Sequence, residues 1–280
     1  MHALPWRLPA PIAREAVVRL SGRQAAVVGG LRPDDTSSGS SYTLDLSTGH
    51  AHRGPSLPVP VHDTAGASVG GHLLVIGGGN AAEQAVVQAW SGSSWGIAGH
   101  LPAARSDLAA VVTGGRVVVV GGYDGTTPAL GVVLSSREGV HWRRLGRLRV
   151  PVRYPGVAVW HGAVWVFGGE RGGVMVRAVQ RISLRTGRVS VVARLPRPLG
   201  HEAVAVIGDR LLLAGGRTSA STLTSQMWWF DPGAPRFAPA GRLPHRLADT
   251  AVVQGHGVAW LVGGETPGFS SRVLKMALAR

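Results

Sequence analysis

Short apolar runs that end in two glycines recur along the whole chain. The clearest is Val117-Val118-Val119-Val120-Gly121-Gly122, in which four β-branched residues precede the glycine pair. The second glycine of each run follows the previous one by 44 to 48 residues, and such a period is typical of a small structural unit repeated in an array. The six runs are 25–30, 74–78, 117–122, 164–169, 212–216 and 259–264.

Each repeat is predicted to hold four β-strands. A strand of small residues such as Ala109–Val112 is followed by a glycine turn and then by the apolar run, which is a hairpin pattern. The runs are continuous rather than alternating, so both faces of this second strand are predicted to be buried. They are short, β-branched and bounded by glycine, which argues against helix. A more polar third strand follows, and the fourth carries an aromatic residue in some repeats, namely Trp95, Trp142 and Phe237.

The last repeat is incomplete, since only one strand, Arg272–Leu278, fits after Gly264. The segment His2–Pro9 resembles the fourth strands of other repeats, such as Trp142–Leu148. We therefore expect the N-terminal segment to complete the last repeat. Such pairing removes an exposed strand edge and ties both termini to the fold.

These features resemble the kelch-repeat β-propellers. The resemblance rests on the double glycines, on Leu-Pro openings such as Leu101-Pro102, and on the Gly-to-Trp turns Gly92–Trp95 and Gly139–Trp142, while the family's Tyr and Trp after the glycines are partly missing. It covers the whole chain and implies an all-β, six-bladed kelch-type β-propeller with four antiparallel strands per blade, in which the N-terminal strand closes the ring. The single domain would span 1–280, with blades at about 9–56, 57–100, 101–147, 148–194, 195–242, and 243–280 plus 1–8.

The glycine pairs are interpreted as structural. We expect them to end each second strand near the crowded axis of the ring, where a residue without Cβ tolerates close approach and positive φ. The segment Ile76–Asn80 superficially suggests a phosphate loop, but it lacks the G-x-x-x-x-G-K-[ST] spacing and no helix pattern follows it.

Charge and composition argue against nucleic-acid binding and against sites that need cysteine. The formal net charge is +14, and the basic residues are 28 arginines and the single Lys275. The arginines are spread over every repeat, and the densest group is Arg143, Arg144, Arg147 and Arg149. A nucleic-acid partner would call for a local basic cluster with interleaved aromatics, so nucleic acid is not expected. Cysteine is absent, which excludes disulfides and thiolate metal sites.

Polar residues occupy two corresponding positions in the repeats. One precedes the small-residue strand and the other follows the double glycine, and the resemblance implies that both gather in loops around the channel. We interpret these residues as a ligand-binding face with an acidic mouth. The alternative is that its carboxylates pair with nearby arginines or accept backbone N–H bonds. The candidates are Arg14, Glu15, Asp63, Asn80, Asp107, Tyr123, Asp124, Tyr154, Glu170, His201, Glu202, Arg217, Asp249 and Glu265.

No cofactor or metal site is expected. His50 and His52 lie on one face of a predicted strand, but no third ligand is identifiable. The segment Ser135–Trp142 resembles a sialidase-type hairpin, yet Arg137 replaces its Asp, so we interpret it as a plain turn. The copper chemistry of galactose-oxidase-like relatives requires a Cys that this chain lacks.

The resemblance leaves two functions open. The first is a non-enzymatic scaffold that binds a protein or glycan ligand through its loop face. The second is a carbohydrate-active enzyme similar to sialic-acid mutarotases, in which Glu170, Glu202, His201 or Glu265 would act as acid or base, and Arg14 or Arg217 would hold a carboxylate. We expect a monomer without a membrane segment, and cytoplasmic unless an upstream leader or anchor precedes it.

Overall fold

The computed structural model describes residues 1–255 and 257–277, and these form 28 β-strands. The first half contains β1 (His2–Arg7), β2 (Ala16–Ser21), β3 (Gln24–Val28), β4 (Ser41–Asp45), β5 (Ala51–Gly54), β6 (Ala65–Val69), β7 (His72–Ile76), β8 (Val86–Trp90), β9 (Trp95–His100), β10 (Ala109–Thr113), β11 (Arg116–Val120), β12 (Val132–Ser136), β13 (Arg143–Arg147) and β14 (Gly156–Trp160). The second half contains β15 (Ala163–Phe167), β16 (Glu170–Arg171), β17 (Val174–Met175), β18 (Ala178–Ser183), β19 (Val189–Arg194), β20 (Ala203–Ile207), β21 (Arg210–Ala214), β22 (Arg217–Ser219), β23 (Thr222–Leu223), β24 (Gln226–Asp231), β25 (Arg236–Arg242), β26 (Ala251–Gly255), β27 (Val258–Val262) and β28 (Arg272–Ala277).

The strands form a six-bladed β-propeller, which confirms the predicted fold class. Each blade is a four-stranded antiparallel sheet, and blades 1 to 6 have the orders β2-β3-β4-β5, β6-β7-β8-β9, β10-β11-β12-β13, β14-β15-β18-β19, β20-β21-β24-β25 and β26-β27-β28-β1. Two short hairpins, β16–β17 and β22–β23, stand outside these sheets in blades 4 and 5. No described residue belongs to a helix that could cross a membrane.

The N-terminal strand closes the ring as expected. β1 pairs antiparallel with β28, and His2 lies opposite Lys275 while Arg7 lies opposite Arg272. The predicted partner strand extended to Leu278, which lies outside the described residues. A further link between the ends of the chain is the bond from the Gly264 N–H to the Ile12 carbonyl, at 2.8 Å.

The continuous apolar strands are buried on both faces because each lies between two neighbouring blades. Val117 and Val119 pack in a cluster shared with blade 2, whereas Val118 and Val120 pack in a cluster shared with blade 4. All four valines are 0% exposed. Alternation of side chains across the strand therefore requires apolar residues at every position.

The glycine pairs do not mark the axis, contrary to expectation. The strands that meet around the axis are the small-residue strands β2, β6, β10, β14, β20 and β26, since each contacts its counterparts in adjacent blades. The first glycine of each pair instead packs on the loop of the next blade, and the second packs on the loop of its own blade. Gly122 donates its N–H to the Val152 carbonyl at 3.0 Å, and a Cβ on Gly121 would lie only 2.5 Å from that oxygen. The positive φ of these glycines and their lack of a side chain therefore allow the loops to pack closely against them.

Candidate functional site

Six non-glycine residues adopt left-handed backbone conformation at the same position of all six blades. Each stands two residues before the first residue of an innermost strand, and φ lies between 50° and 60°. L-residues rarely adopt this conformation, so its recurrence indicates a position fixed by the surrounding structure. We call these residues the axial ring: Arg14, Asp63, Asp107, Tyr154, His201 and Asp249.

Backbone hydrogen bonds join neighbours of the axial ring across blades. The N–H of Tyr154 donates to the Asp107 carbonyl at 2.8 Å, and the N–H of His201 donates to the Tyr154 carbonyl at 3.0 Å. Corresponding bonds run from Asp107 to Asp63, from Asp249 to His201 and from Arg14 to Asp249. The ring lines a central channel of about 500 Å³, whose remaining wall is mostly alanine, valine and glycine.

A second circle of residues lies beside the axial ring. Each member follows a glycine pair and pairs through a single β-bridge with the residue before an axial-ring residue, as Glu170 does with Arg153. In blade 2 this position belongs to Gly79 and not to the predicted Asn80, because that blade has three consecutive glycines. The members are Leu31, Gly79, Tyr123, Glu170, Arg217 and Glu265.

Arg14 and Arg217 are each held by two carboxylates. Arg14 Nε donates to Glu265 at 2.6 Å, and its Nη1 donates to Asp63 at 3.1 Å. Arg217 Nε donates to Asp249 at 3.2 Å, and its Nη2 donates to the other oxygen of Glu265. Glu265 therefore bridges the two arginines, and the mouth is a paired network, which is the alternative that the sequence left open beside an acidic mouth.

A second set of contacts continues around the mouth. Arg153 donates to Glu170 from Nε at 3.0 Å and from Nη2 at 2.5 Å, and its Nη1 lies 3.4 Å from Asp107. Glu170 in turn contacts Nε2 of His201 at 3.4 Å, and Nδ1 of His201 lies 2.5 Å from Asp249. The imidazole is thus enclosed by a carboxylate at each nitrogen.

Tyr154 fills the space between the two sets of contacts. Its hydroxyl donates to Asp63 at 3.1 Å and accepts a bond from Arg14 at 3.3 Å. Its ring stacks on His201 with centroids 4.0 Å apart. We call the connected side chains the mouth network: Arg14, Asp63, Asp107, Arg153, Tyr154, Glu170, His201, Arg217, Asp249 and Glu265.

Ionisation in the mouth network follows from burial and pairing. Burial opposes protonation of His201, but the carboxylates of Asp249 and Glu170 raise its pKa to about 9. The hydrogen bond from His201 and the contacts with Arg153 hold the pKa of Glu170 at about 2. Burial and the charge of Asp63 raise the pKa of Asp107 to about 7. His201 is therefore an imidazolium at neutral pH, whereas Asp107 titrates there.

A family comparison agrees with this architecture. The kelch motif model matches residues 104–136, which include the apolar strand and glycine pair of blade 3. The solved structure of YjhT superposes with a TM-score of 0.82 over 98% of this chain and 99% of that chain, at 16% identity. This chain carries a kelch motif and folds as a six-bladed β-propeller.

Curated relatives also carry the repeat. Beta-scruin of Limulus polyphemus is 21% identical over 162 residues, which cover 54% of this chain and 18% of scruin. Kelch repeat protein M-T8 of myxoma virus (strain Lausanne) is 29% identical over 140 residues, which cover 48% of this chain and 27% of that protein. The matches thus span less than a third of the length of these relatives.

Three further candidates, Asn80, Asp124 and Tyr123, lie beside or outside the mouth network. Asn80 is exposed, and its side chain bonds to its own turn at Ala82. Asp124 accepts N–H bonds from the two threonines that follow it, in a local turn. Tyr123 lies at the edge of the mouth network, since the guanidinium of Arg153 is 5.3 Å from its ring centre.

Glu15 and Glu202 are buried at the start of innermost strands. Among the described residues, neither carboxyl has a hydrogen-bond partner. Burial raises the pKa of Glu15 well above its usual range and that of Glu202 to about 8. At the corresponding positions, the hydroxyls of Thr64 and Thr250 donate to a carbonyl of their own blade. Burial therefore favours the neutral form of both glutamates, which does not add negative charge to the mouth.

Arg153 was missed by the sequence analysis although it holds Asp107 and Glu170. It directly precedes the axial-ring residue Tyr154, and a search of the residues before the axial ring would have found it. His62 has the same place in blade 2, and its Nε2 lies 3.5 Å from Asp63.

Two short hairpins lie next to the mouth network. β16–β17 begins at Glu170 and β22–β23 begins at Arg217, so both start from residues of the mouth network. β17 contacts β22, which places the hairpins side by side. Val174 in the first hairpin is 66% exposed, more than any other large apolar residue that the structure describes. An exposed apolar group here is available to a ligand.

Proposed function

We propose that this propeller is a non-enzymatic binding scaffold, and that its ligand is a glycan or a protein segment that docks on the mouth network and the adjacent hairpins. The observation that carries the proposal is that Arg14, Arg153, Arg217 and His201 are each engaged by two carboxylates. Groups fixed in this way hold their geometry and offer remaining lone pairs and N–H bonds to a polar ligand.

The same pairing favours binding over acid–base catalysis. A general base needs a free lone pair and a pKa near the working pH, but His201 is protonated and both of its nitrogens are engaged. An anionic ligand is also disfavoured, because the arginines are already neutralised. The ligand class that fits best is neutral or basic and rich in hydroxyl or amide groups.

An enzymatic function is the second candidate, and Asp107 is the observation that favours it. Its pKa of about 7 suits a residue that both takes up and releases protons at neutral pH. A carbohydrate-active enzyme would therefore place a sugar hydroxyl or ring oxygen next to Asp107. Replacement by Asn would then lower turnover by orders of magnitude while binding changed little.

The binding proposal is tested with two variants of equal charge. Arg14→Gln with Glu265→Gln removes three linked ion pairs of the mouth, Arg14–Glu265, Arg14–Asp63 and Arg217–Glu265. Arg236→Gln with Asp231→Asn removes an exposed ion pair of blade 5. Both variants and the wild type are compared on a glycan array and a peptide array. The assay temperature is one at which thermal melts show all three proteins to be folded.

We expect a ligand of the wild type to bind the mouth variant at least tenfold more weakly and the blade 5 variant with unchanged affinity. Equal binding by all three proteins would contradict the mouth as the binding face. Conversion of a bound sugar by the wild type, abolished by Asp107→Asn, would replace the scaffold proposal with the enzymatic one.

A further inference from the structure

A second cavity lies at the base of blade 3, far along the strands from the glycine pairs. Its volume is about 300 Å³, and its lining includes Arg116, Arg137 and Arg143 together with Ser135. In the part of the chain that the structure describes, none of the three guanidinium groups takes part in a side-chain hydrogen bond or ion pair. This is the opposite of the mouth network, where every arginine is paired twice.

The strand register explains how these residues meet. Ser135 lies opposite Val118 on one side and opposite Arg143 on the other. Arg116 precedes Val118 by two residues, so its side chain leaves the same face of the sheet. Side chains that share a face on paired strands are neighbours, and the two arginines therefore flank the serine.

Blade 5 shows what fills this position elsewhere in the molecule. There Leu212 lies opposite Trp229, so Trp229 corresponds to Ser135, and Arg210 corresponds to Arg116. The guanidinium of Arg210 lies 4.7 Å from the centre of the Trp229 ring. In blade 3 the indole is replaced by a small hydroxyl, and Arg116 consequently lacks an aromatic partner beside an open cavity.

Ser135 gives a second, independent indication that a ligand binds in this cavity. Ser135 is 1% exposed, and its buried hydroxyl has no hydrogen-bond partner among the described residues. An unsatisfied buried hydroxyl costs about 1–3 kcal/mol, and native proteins rarely tolerate one without a reason. A ligand atom that accepts a hydrogen bond would remove this cost.

The turn that borders the cavity is held in place by its own hydrogen bonds. The Ser136 hydroxyl accepts the Gly139 N–H at 2.8 Å, and the Trp142 indole donates to the Gly139 carbonyl at 3.1 Å. The one carboxylate in the lining, Glu138, bonds to the backbone and ring of His141. It is therefore engaged locally and does not neutralise the arginines.

We propose that the base of blade 3 binds an oxyanion of the phosphate or sulfate class through Arg116, Arg137, Arg143 and the Ser135 hydroxyl. Guanidinium groups bind tetrahedral oxyanions through paired N–H donors, and three of them compensate a doubly charged group. The cavity has room for more than one oxyanion, so a diphosphate or a phosphorylated small molecule also fits. This site is separate from the mouth and does not depend on the proposed function.

The test is calorimetric titration of the full chain with pyrophosphate, inorganic phosphate, sulfate and acetate at fixed ionic strength. The site variant is Arg116→Gln with Arg143→Gln. The matched control is Arg210→Gln with Arg236→Gln in blade 5, which removes the same charge from arginines outside the cavity. Circular dichroism melts establish that both variants fold.

We expect saturable binding of pyrophosphate or phosphate by the wild type, at least tenfold weaker binding by the site variant, and a change of less than twofold in the control. Tighter binding of pyrophosphate would indicate a diphosphate ligand, and equal binding of phosphate and sulfate would indicate a single oxyanion group. The proposal would be overturned by wild-type protein that binds none of these anions, by equal losses in the two variants, or by acetate binding as tightly as phosphate.

Discussion

The mouth network and the base of blade 3 use arginine in opposite ways. At the mouth, Arg14 and Arg217 share Glu265 and are almost buried among carboxylates. At the base of blade 3, Arg116 and Arg143 line an open cavity without a carboxylate partner. A high net charge therefore does not locate an anion site, because only arginines without a carboxylate partner remain available to bind an anion. Stability should therefore depend on the mouth, and anion binding on blade 3.

The largest expected effect comes from the buried acid beside the mouth. The pKa of Glu202 in the folded protein, about 8, lies above the ordinary value of 4.5, so the fold favours the protonated form. The free energy of unfolding of the wild type therefore falls as the pH rises from 4.5 to about 8. The Glu202→Gln variant cannot ionise at this position and does not show this fall. Relative to wild type, the variant should gain on the order of 5 kcal/mol between pH 4.5 and pH 8.

Urea unfolding of both proteins at several pH values measures this gain. Glu138→Gln at the base of blade 3 is the control, since this carboxylate is exposed and its pKa is lowered, not raised. A Glu202→Gln variant whose stability follows the wild type at every pH would show that Glu202 is not buried as a neutral acid.

Breaking the pairing at the mouth should be nearly as costly. Asp249 contacts both His201 and Arg217, and replacement by Asn removes one of the two carboxylate partners from each of these buried cations. The free energy of unfolding should fall by about 3–5 kcal/mol. Asp231→Asn, which removes the partner of the exposed Arg236, is the matched control and should have a much smaller effect. Similar losses in the two variants would refute a structural role for the mouth network.

A smaller effect is expected from the histidine of the same network. The pKa of His201 is raised from 6.5 to about 9, so its contribution to stability is complete below pH 6.5 and is lost as pH rises through 9. His201→Gln should destabilise the protein by about 3 kcal/mol at pH 6 and much less at pH 10. Chemical unfolding at these two pH values checks the difference, and a loss independent of pH would contradict an imidazolium at this site.

The smallest effect is expected at the base of blade 3. Arg116 and Arg143 have no side-chain partner within the described chain, so replacing both by Gln should change the free energy of unfolding by no more than about 0.5 kcal/mol in the absence of anions. Urea unfolding in an uncharged buffer background measures this. A loss comparable with that of Asp249→Asn would mean that these arginines are structural after all.

The fold was predictable from the sequence because its determinants are local and repeated. The burial of Val117–Val120, the glycine turns and the closing strand His2–Arg7 each follow from spacing and pattern. The axial ring was also predictable, since each member stands at a fixed distance from a recognisable strand. Its positive φ and the shift from Asn80 to Gly79 required the structure.

The pairing of side chains was not predictable, because the partners come from distant repeats. Arg14 and Glu265 are separated by 251 positions, and nothing in either repeat specifies the contact. The cavity of blade 3 was also missed, since Ser135–Trp142 reads as a plain turn. Only comparison with Trp229 in the folded blade 5 shows that a large side chain is lacking at Ser135.

The most direct test of the contrast between the two arginine groups is to observe their guanidinium groups individually. In protein labelled with ¹⁵N-arginine, the Nε–H signals of Arg14, Arg153, Arg217, Arg116 and Arg143 can be assigned from single Arg→Lys variants and followed during a titration with pyrophosphate. We predict that the signals of Arg116 and Arg143 shift in a saturable way while the three mouth signals stay in place. Shifts at Arg14, Arg153 and Arg217 with no response at Arg116 and Arg143 would contradict the account.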